Sequence, residues 1–191
     1  MESSRCHGWV TIPNALSFFR LLLIPIYVTI YCNANVAYDY FLAATILALS
    51  CLTDYIDGKI ARRFNMISTI GKILDPLADK ATQLTLIICL AFKYYVFRYL
   101  IVLYVTKELF QIVAGIINWK NGKMLKGALI TGKVCTAVLF VSLILLVLLP
   151  NLPADYVTGI VVVDMMFISA SFLDYIFAYL FRPHLFSPIP K

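Results

Sequence analysis

Six apolar runs, each close to the length that crosses a bilayer, take up nearly the whole of this 191-residue chain. They fall near 16–32, 36–60, 70–92, 97–118, 128–149 and 156–181. A helix needs about 20 apolar residues to traverse roughly 30 Å of hydrocarbon, and inside lipid its backbone groups must be satisfied within the segment. The pattern therefore predicts an all-α polytopic membrane protein of six transmembrane helices, a single domain over residues 1–191. With 62% hydrophobic and 14% charged residues, the composition lies far from the roughly 45–50% apolar content of soluble domains. No linker, low-complexity tract or internal repeat interrupts the series. The first run opens with Ile12-Pro13-Asn14 and Arg20, and is read as a span rather than as a cleaved leader.

In a soluble protein the net charge of +6 would suggest nucleic acid. Here the basic residues are sorted by side of the membrane, which argues for lipid and against a nucleic-acid partner. Arg5 and Arg20 precede or open the first span; Lys59, Arg62, Arg63, Lys72 and Lys80 surround the second connection. Lys107, Lys120, Lys123, Lys126 and Lys133 surround the fourth, and Arg182 and Lys191 follow the last span, whereas the opposite connections hold Lys93 and Arg98. Cytoplasmic loops collect Lys and Arg, so both termini and the second connection are expected on the cytoplasmic side. The five cysteines form no C-x-x-C pair, and His7 and His184 have no partner at metal-ligand spacing.

Against this apolar background stand four aspartates: Asp54-x-x-Asp57-Gly58-x-x-Ala61-Arg62, then eight residues, then Gly71-x-x-x-Asp75-x-x-x-Asp79. Ionisable groups at membrane depth are unfavourable by several kcal/mol unless paired, solvated or liganded, so the cluster is a functional site by default. At 100° per residue Asp54, Asp57, Gly58, Ala61 and Arg62 share an arc of roughly 140°, and Gly71, Asp75 and Asp79 form one stripe. The intervening Asn65, Ser68 and Thr69 suit a short turn, so two adjacent antiparallel helices each present two carboxylates. Four converging carboxylates repel one another, and a divalent metal is the simplest remedy. All-oxygen donors select hard ions, Mg²⁺, Mn²⁺ or Ca²⁺, and four carboxylates make a two-ion site reasonable. Gly58, Ala61 and Gly71 remove bulk, which allows either close helix packing or close approach of a ligand. Arg62 suits a phosphate or pyrophosphate. Pro76, after Asp75, is expected to kink its helix.

The complete spacing, eight positions from Asp54 to Asp79, resembles without a mismatch the signature of the CDP-alcohol phosphatidyltransferase family. Ile12-Pro13-Asn14 with Arg20, Asp75-Pro76-Leu77-Ala78-Asp79-Lys80 and Gly132-Lys133-Val134 with Thr136 are similar to the family's phosphatidylglycerophosphate synthases and related cardiolipin synthases. The resemblance implies six transmembrane helices, a homodimer, and a di-metal site holding Mg²⁺ or Mn²⁺ in a cavity on the cytoplasmic side. The implied location is the bacterial plasma membrane. The implied reaction is displacement of CMP from CDP-diacylglycerol by an alcohol, in phospholipid synthesis. Carried over by position, Asp54, Asp57 and Asp75 would be metal ligands, with Asp79 completing the site and acting as general base; Asp57, Gly58, Ala61, Arg62 and Gly71 would lie along the CDP moiety.

For the acceptor the resemblance ranks glycerol 3-phosphate first, its phosphate held by Lys107 and Lys133 with help from Lys123 and Lys126. The chain departs from the pattern in three places: Lys107 precedes Glu108 where Arg-Glu is usual, Cys135 stands where a second lysine is frequent, and Gly115 lies near the place of a further arginine. A thinner basic pocket also suits the headgroup glycerol of phosphatidylglycerol, which would make cardiolipin. Intramembrane aspartates can serve a cation transporter as well. Transporters, however, tend to show corresponding broken helices in two halves, whereas these carboxylates share one short segment. Asp164 and Asp174 are expected to pair with basic residues or to face a polar groove or a partner chain.

Overall fold

The computed structural model describes residues 12–63, 71–125, 129–182 and 186–188; the side chains of 12–17, 51, 54–63, 71–76, 123–125 and 186–188 lie outside that description. Six helices form where the apolar runs predict them: α1 Ile12–Cys32, α2 Ala37–Arg63, α3 Gly71–Lys93, α4 Phe97–Lys120, α5 Ile130–Leu148 and α6 Ala154–Phe181. Their ends follow local chemistry. Asp39 Oδ2 accepts the backbone N–H groups of Asn35 and Val36 at 2.9 and 3.2 Å, closing the turn between α1 and α2 with a side-chain oxygen. Gly122 has φ +71° just past the end of α4, the left-handed position that stops a helix, and its N–H reaches Trp119 O at 3.0 Å.

That turn leads into a feature the all-helical reading lacks. Strand β1 (Lys123–Leu125) pairs antiparallel with β2 (Phe186–Pro188), Lys123 opposite Pro188 and Leu125 opposite Phe186. Three-residue strands carry too little periodicity to be seen in a sequence. The body of the fold is all-α as expected.

The chain divides into two compact units, residues 1–89 with 147–150, and residues 90–146 with 151–191. In the first, α1 packs along α2, with Tyr31 edge-on to Tyr40 at 5.8 Å. Fully buried Ala43, Ala44 and Ala78 permit the close backbone approach that helices in lipid rely on. In the second unit α4 and α6 run parallel: Phe110 stands edge-on to Phe172 and Tyr179, at 5.3 and 6.2 Å. There α5 runs antiparallel to α6, tied by Thr131 to Asp174 and by Ser142 to Asp164.

Helices α4, α5 and α6 are long and apolar enough to cross a membrane, while Phe18–Cys32 and Ala37–Ser50 form shorter apolar stretches among the described residues. Large apolar side chains such as Val102, Ile112, Val141 and Met166 stand exposed, as lipid-facing residues do. The protein is an integral membrane protein.

Candidate active site

The aspartates sit on α2 and α3, on either side of the segment 64–70, which lies outside the described residues together with Asn65, Ser68 and Thr69. The backbones of Asp54, Asp57, Gly58, Ala61, Arg62, Gly71, Asp75 and Pro76 are helical; their side chains are outside the description. Their heights nevertheless follow from what lies deeper in the same unit. One small cavity is lined by Leu23 and Tyr27 of α1, Leu47 and Ser50 of α2, and Thr82 and Thr85 of α3, so these residues share a level. Counting outward at about 1.5 Å per residue, Asp54 comes level with Asp79, and Asp57 with Asp75, to within about a turn. The four backbone positions thus lie at comparable heights on the two helices.

Asp79 is the one aspartate of the four whose side chain is described, and a residue of α1 meets it. Arg20 Nη1 donates to Asp79 Oδ1 at 2.6 Å. The pair is uneven: the arginine side chain is 2% exposed and the aspartate 44%. Read from sequence, Arg20 was a cation opening the first span. The signal that could have placed it is its position inside an apolar run, where an unpaired guanidinium is not tolerated. Among the described residues no three His, Cys, Asp or Glu side chains converge; Asp54, Asp57 and Asp75 are not among those whose side chains are described.

The basic residues predicted for the acceptor lie in the second unit. Lys107 of α4 is buried, and its Nζ contacts Glu108 Oε1 at 2.9 Å. Neighbours on a helix diverge by about 100°, so both long side chains bend to meet. Lys133, in the first turn of α5, is exposed. The pairings of α5 with α6 and of α4 with α6 put Lys107 and Lys133 at the same height to within about a turn, and buried Cys135 lies within electrostatic reach of Lys107, Glu108 and Asp164. Lys123 belongs to β1, its side chain outside the description, and Lys126 lies outside the described residues. At the missing-arginine position, Gly115 faces Tyr179 of α6, whose hydroxyl is 3.9 Å from where a Cβ would stand. Gly132 is what allows Tyr175 to close over the start of α5, since a Cβ there would stand 2.8 Å from the tyrosine hydroxyl. That hydroxyl accepts the N–H of Leu129 at 3.3 Å.

Of the two remaining acids, Asp174 pairs with Arg182 at 3.0 Å and accepts from Thr131 at 2.7 Å. Asp164 is buried and accepts from Ser142 at 2.8 Å.

Residues 10–173 match the CDP-alcohol phosphatidyltransferase family. The chain belongs to that family. The match takes in every position of the aspartate signature as well as Arg20, Lys107 and Lys133. A cardiolipin synthase (CMP-forming) of Streptomyces coelicolor is 38% identical over 86 residues, 44% of this chain and 40% of that protein. A CDP-diacylglycerol--glycerol-3-phosphate 3-phosphatidyltransferase of Escherichia coli K12 is 42% identical over 69 residues, 36% of this chain and 37% of that protein. A cardiolipin synthase (CMP-forming) / mitochondrial hydrolase fusion protein of Schizosaccharomyces pombe is 45% identical over 84 residues, 44% of this chain and 13% of that protein. The chain matches less than half the length of each of these relatives.

Proposed function

We propose that this protein transfers the phosphatidyl group of CDP-diacylglycerol to glycerol 3-phosphate, releasing CMP and forming phosphatidylglycerophosphate. The observation that supports the reading is the pairing of Arg20 with Asp79 of α3, the helix that with α2 carries the four signature aspartates on either side of one short segment. All four positions are carboxylates, a donor set that fits hard divalent ions. Asp54, Asp57, Asp75 and Asp79 would hold Mg²⁺ or Mn²⁺, two ions, which when bound supply charge neutralisation at the pyrophosphate.

The chain's own residues do the rest. Arg62 forks onto the nucleotide phosphates, while Gly58, Ala61 and Gly71 leave room for CDP beside the helix faces, with Asp57 at its edge. Asp79 takes the proton of the acceptor hydroxyl as its oxygen bonds to the phosphorus that carries diacylglycerol. The bond from that phosphorus to the CMP oxygen breaks, and CMP leaves with the electron pair. Lys107 and Lys133, with Lys123 and Lys126, hold the acceptor phosphate. The sorting of basic residues supports a site on the cytoplasmic side, and a bacterial plasma membrane and a homodimer enter this reading as what the family resemblance implies.

A second acceptor is favoured by a specific observation. Lys107 is buried and engaged by Glu108, and Gly115 and Cys135 replace basic residues, so the pocket also suits phosphatidylglycerol as acceptor and cardiolipin as product. Purified protein with CDP-diacylglycerol, Mn²⁺ and each acceptor in turn, analysed for the lipid formed, decides between them. Phosphatidylglycerophosphate is expected; cardiolipin from phosphatidylglycerol with no use of glycerol 3-phosphate would transfer the assignment to the second acceptor. Ion flux in liposomes without CMP release would support a transporter instead.

A further inference from the structure

The geometry points to Arg20 as a positioning residue for the proposed general base: an arginine of α1 that fixes Asp79 of α3 from the side of α1 without meeting substrate itself. The inference rests on the reading of Asp79 given above. Its first support is the contact, a charge-assisted bond of 2.6 Å between helices whose paired residues are 59 apart in sequence. Its second is the imbalance in exposure, 2% for the arginine side chain against 44% for the aspartate. The carboxylate keeps an open face on which an acceptor hydroxyl can arrive, and the guanidinium has none.

The third support is the anchoring of α1 itself. Leu23 and Tyr27 follow Arg20 by three and seven residues, and so lie on its side of the helix. They line the small cavity shared with Ser50 of α2 and Thr82 of α3, and Tyr27 is 3% exposed. Arg20 is therefore held by a packed three-helix core, one turn deeper than the bond it makes. A bridge whose sole purpose was to join α1 to α3 could be replaced by apolar contacts of the same volume at little cost. A carboxylate that must stay accessible and yet point in one direction needs a fixed donor on its far side, as ligating and catalytic groups generally do. Displacing a reacting group by about 1 Å can cost on the order of 100-fold in rate.

The test compares the full chain with Arg20→Gln and Arg20→Lys in detergent. CMP release from CDP-diacylglycerol is measured in one arm, and Mn²⁺-dependent thermal stabilisation without substrate in the other. For Arg20→Gln, kcat is expected to fall about 10- to 100-fold with KM for CDP-diacylglycerol within about twofold, a split that positioning of a base produces. The Mn²⁺ concentration giving half-maximal stabilisation rises, the metal-free melting temperature stays within a few degrees, and Arg20→Lys recovers part of kcat. An active wild type whose Arg20→Gln variant keeps full kcat, or loses metal-free stability with kcat and KM worsening together, overturns the positioning role alone. Should Arg20→Gln not fold, Arg20→Lys decides: a severalfold lower kcat at unchanged KM supports the role, and an unchanged kcat overturns it. A wild type that releases no CMP overturns the phosphatidyl-transfer reading on which the inference rests.

Discussion

Glu108→Gln tests the acceptor half of the site through stability. The substitution removes the carboxylate that Lys107 Nζ meets at 2.9 Å, where the two side chains are 6% and 13% exposed. Removing one partner of a buried pair costs about 3–5 kcal/mol, because the other charge stays behind, whereas replacing both by apolar residues of similar volume is close to neutral. At about 2–4 °C per kcal/mol for a chain of this size, Glu108→Gln should melt roughly 6–20 °C below wild type. Lys107→Met with Glu108→Leu should recover most of that loss. If the Lys107 ammonium receives the acceptor's phosphate, glycerol 3-phosphate should stabilise Glu108→Gln, by about 2.7 kcal/mol at a hundredfold excess over its dissociation constant. The assay is thermal unfolding in detergent with and without glycerol 3-phosphate. A single variant melting within about 2 °C of wild type, or a double variant no better than the single, would refute the buried-pair argument. A destabilised Glu108→Gln that glycerol 3-phosphate leaves unchanged would detach Lys107 from the acceptor.

Three further outcomes concern Arg62, Lys133 and Gly132. Arg62→Lys should raise KM for CDP-diacylglycerol while leaving the melting temperature in place, since an ammonium cannot reproduce the guanidinium fork; loss of stability without that kinetic defect would mark Arg62 as a packing residue. Lys133→Gln, at an exposed position, should raise the apparent KM for glycerol 3-phosphate on the order of tenfold and barely alter that for CDP-diacylglycerol; a small, unselective loss would mean a lysine that merely reaches toward headgroups. Gly132→Ala would set a Cβ 2.8 Å from Tyr175 Oη and 3.0 Å from Cε2, an overpacking worth about 1–3 kcal/mol, and thermal unfolding should show a drop of several degrees that Tyr175→Leu partly reverses.

The helices were legible because hydrocarbon leaves the backbone few choices: each apolar run became one helix, with ends a few residues from those expected. That the aspartates fall on two successive helices was legible from the same apolar runs, and α2 carries Asp54 and Asp57 while α3 carries Asp75 and Asp79. Arg20 was not. Its role depends on which helix lies beside Asp79, and that is settled by the packing of Tyr27, Leu47, Ser50 and Thr82 rather than by any local pattern. For Asp174 several partners were open, and it meets Arg182, the residue that ends its own helix, together with Thr131 of α5. Lys107 read as a basic residue for the acceptor phosphate, and its burial beside Glu108 depends on tertiary packing that side-by-side residues cannot announce. The ribbon of β1 and β2 likewise depends on two segments about 60 residues apart in sequence meeting.

The central claim is that the carboxylates of α2 and α3 form one unit for phosphatidyl transfer, and CMP release from CDP-diacylglycerol tests it most directly. Wild-type protein with Mn²⁺ and glycerol 3-phosphate should release CMP, and chelation should abolish the release. Each of Asp54→Asn, Asp57→Asn, Asp75→Asn and Asp79→Asn should lower turnover by orders of magnitude, with paired substitutions scarcely worse than single ones, as for residues acting together. Near-normal CMP release by two of the four single variants, or by wild-type protein stripped of divalent metal, would contradict the account.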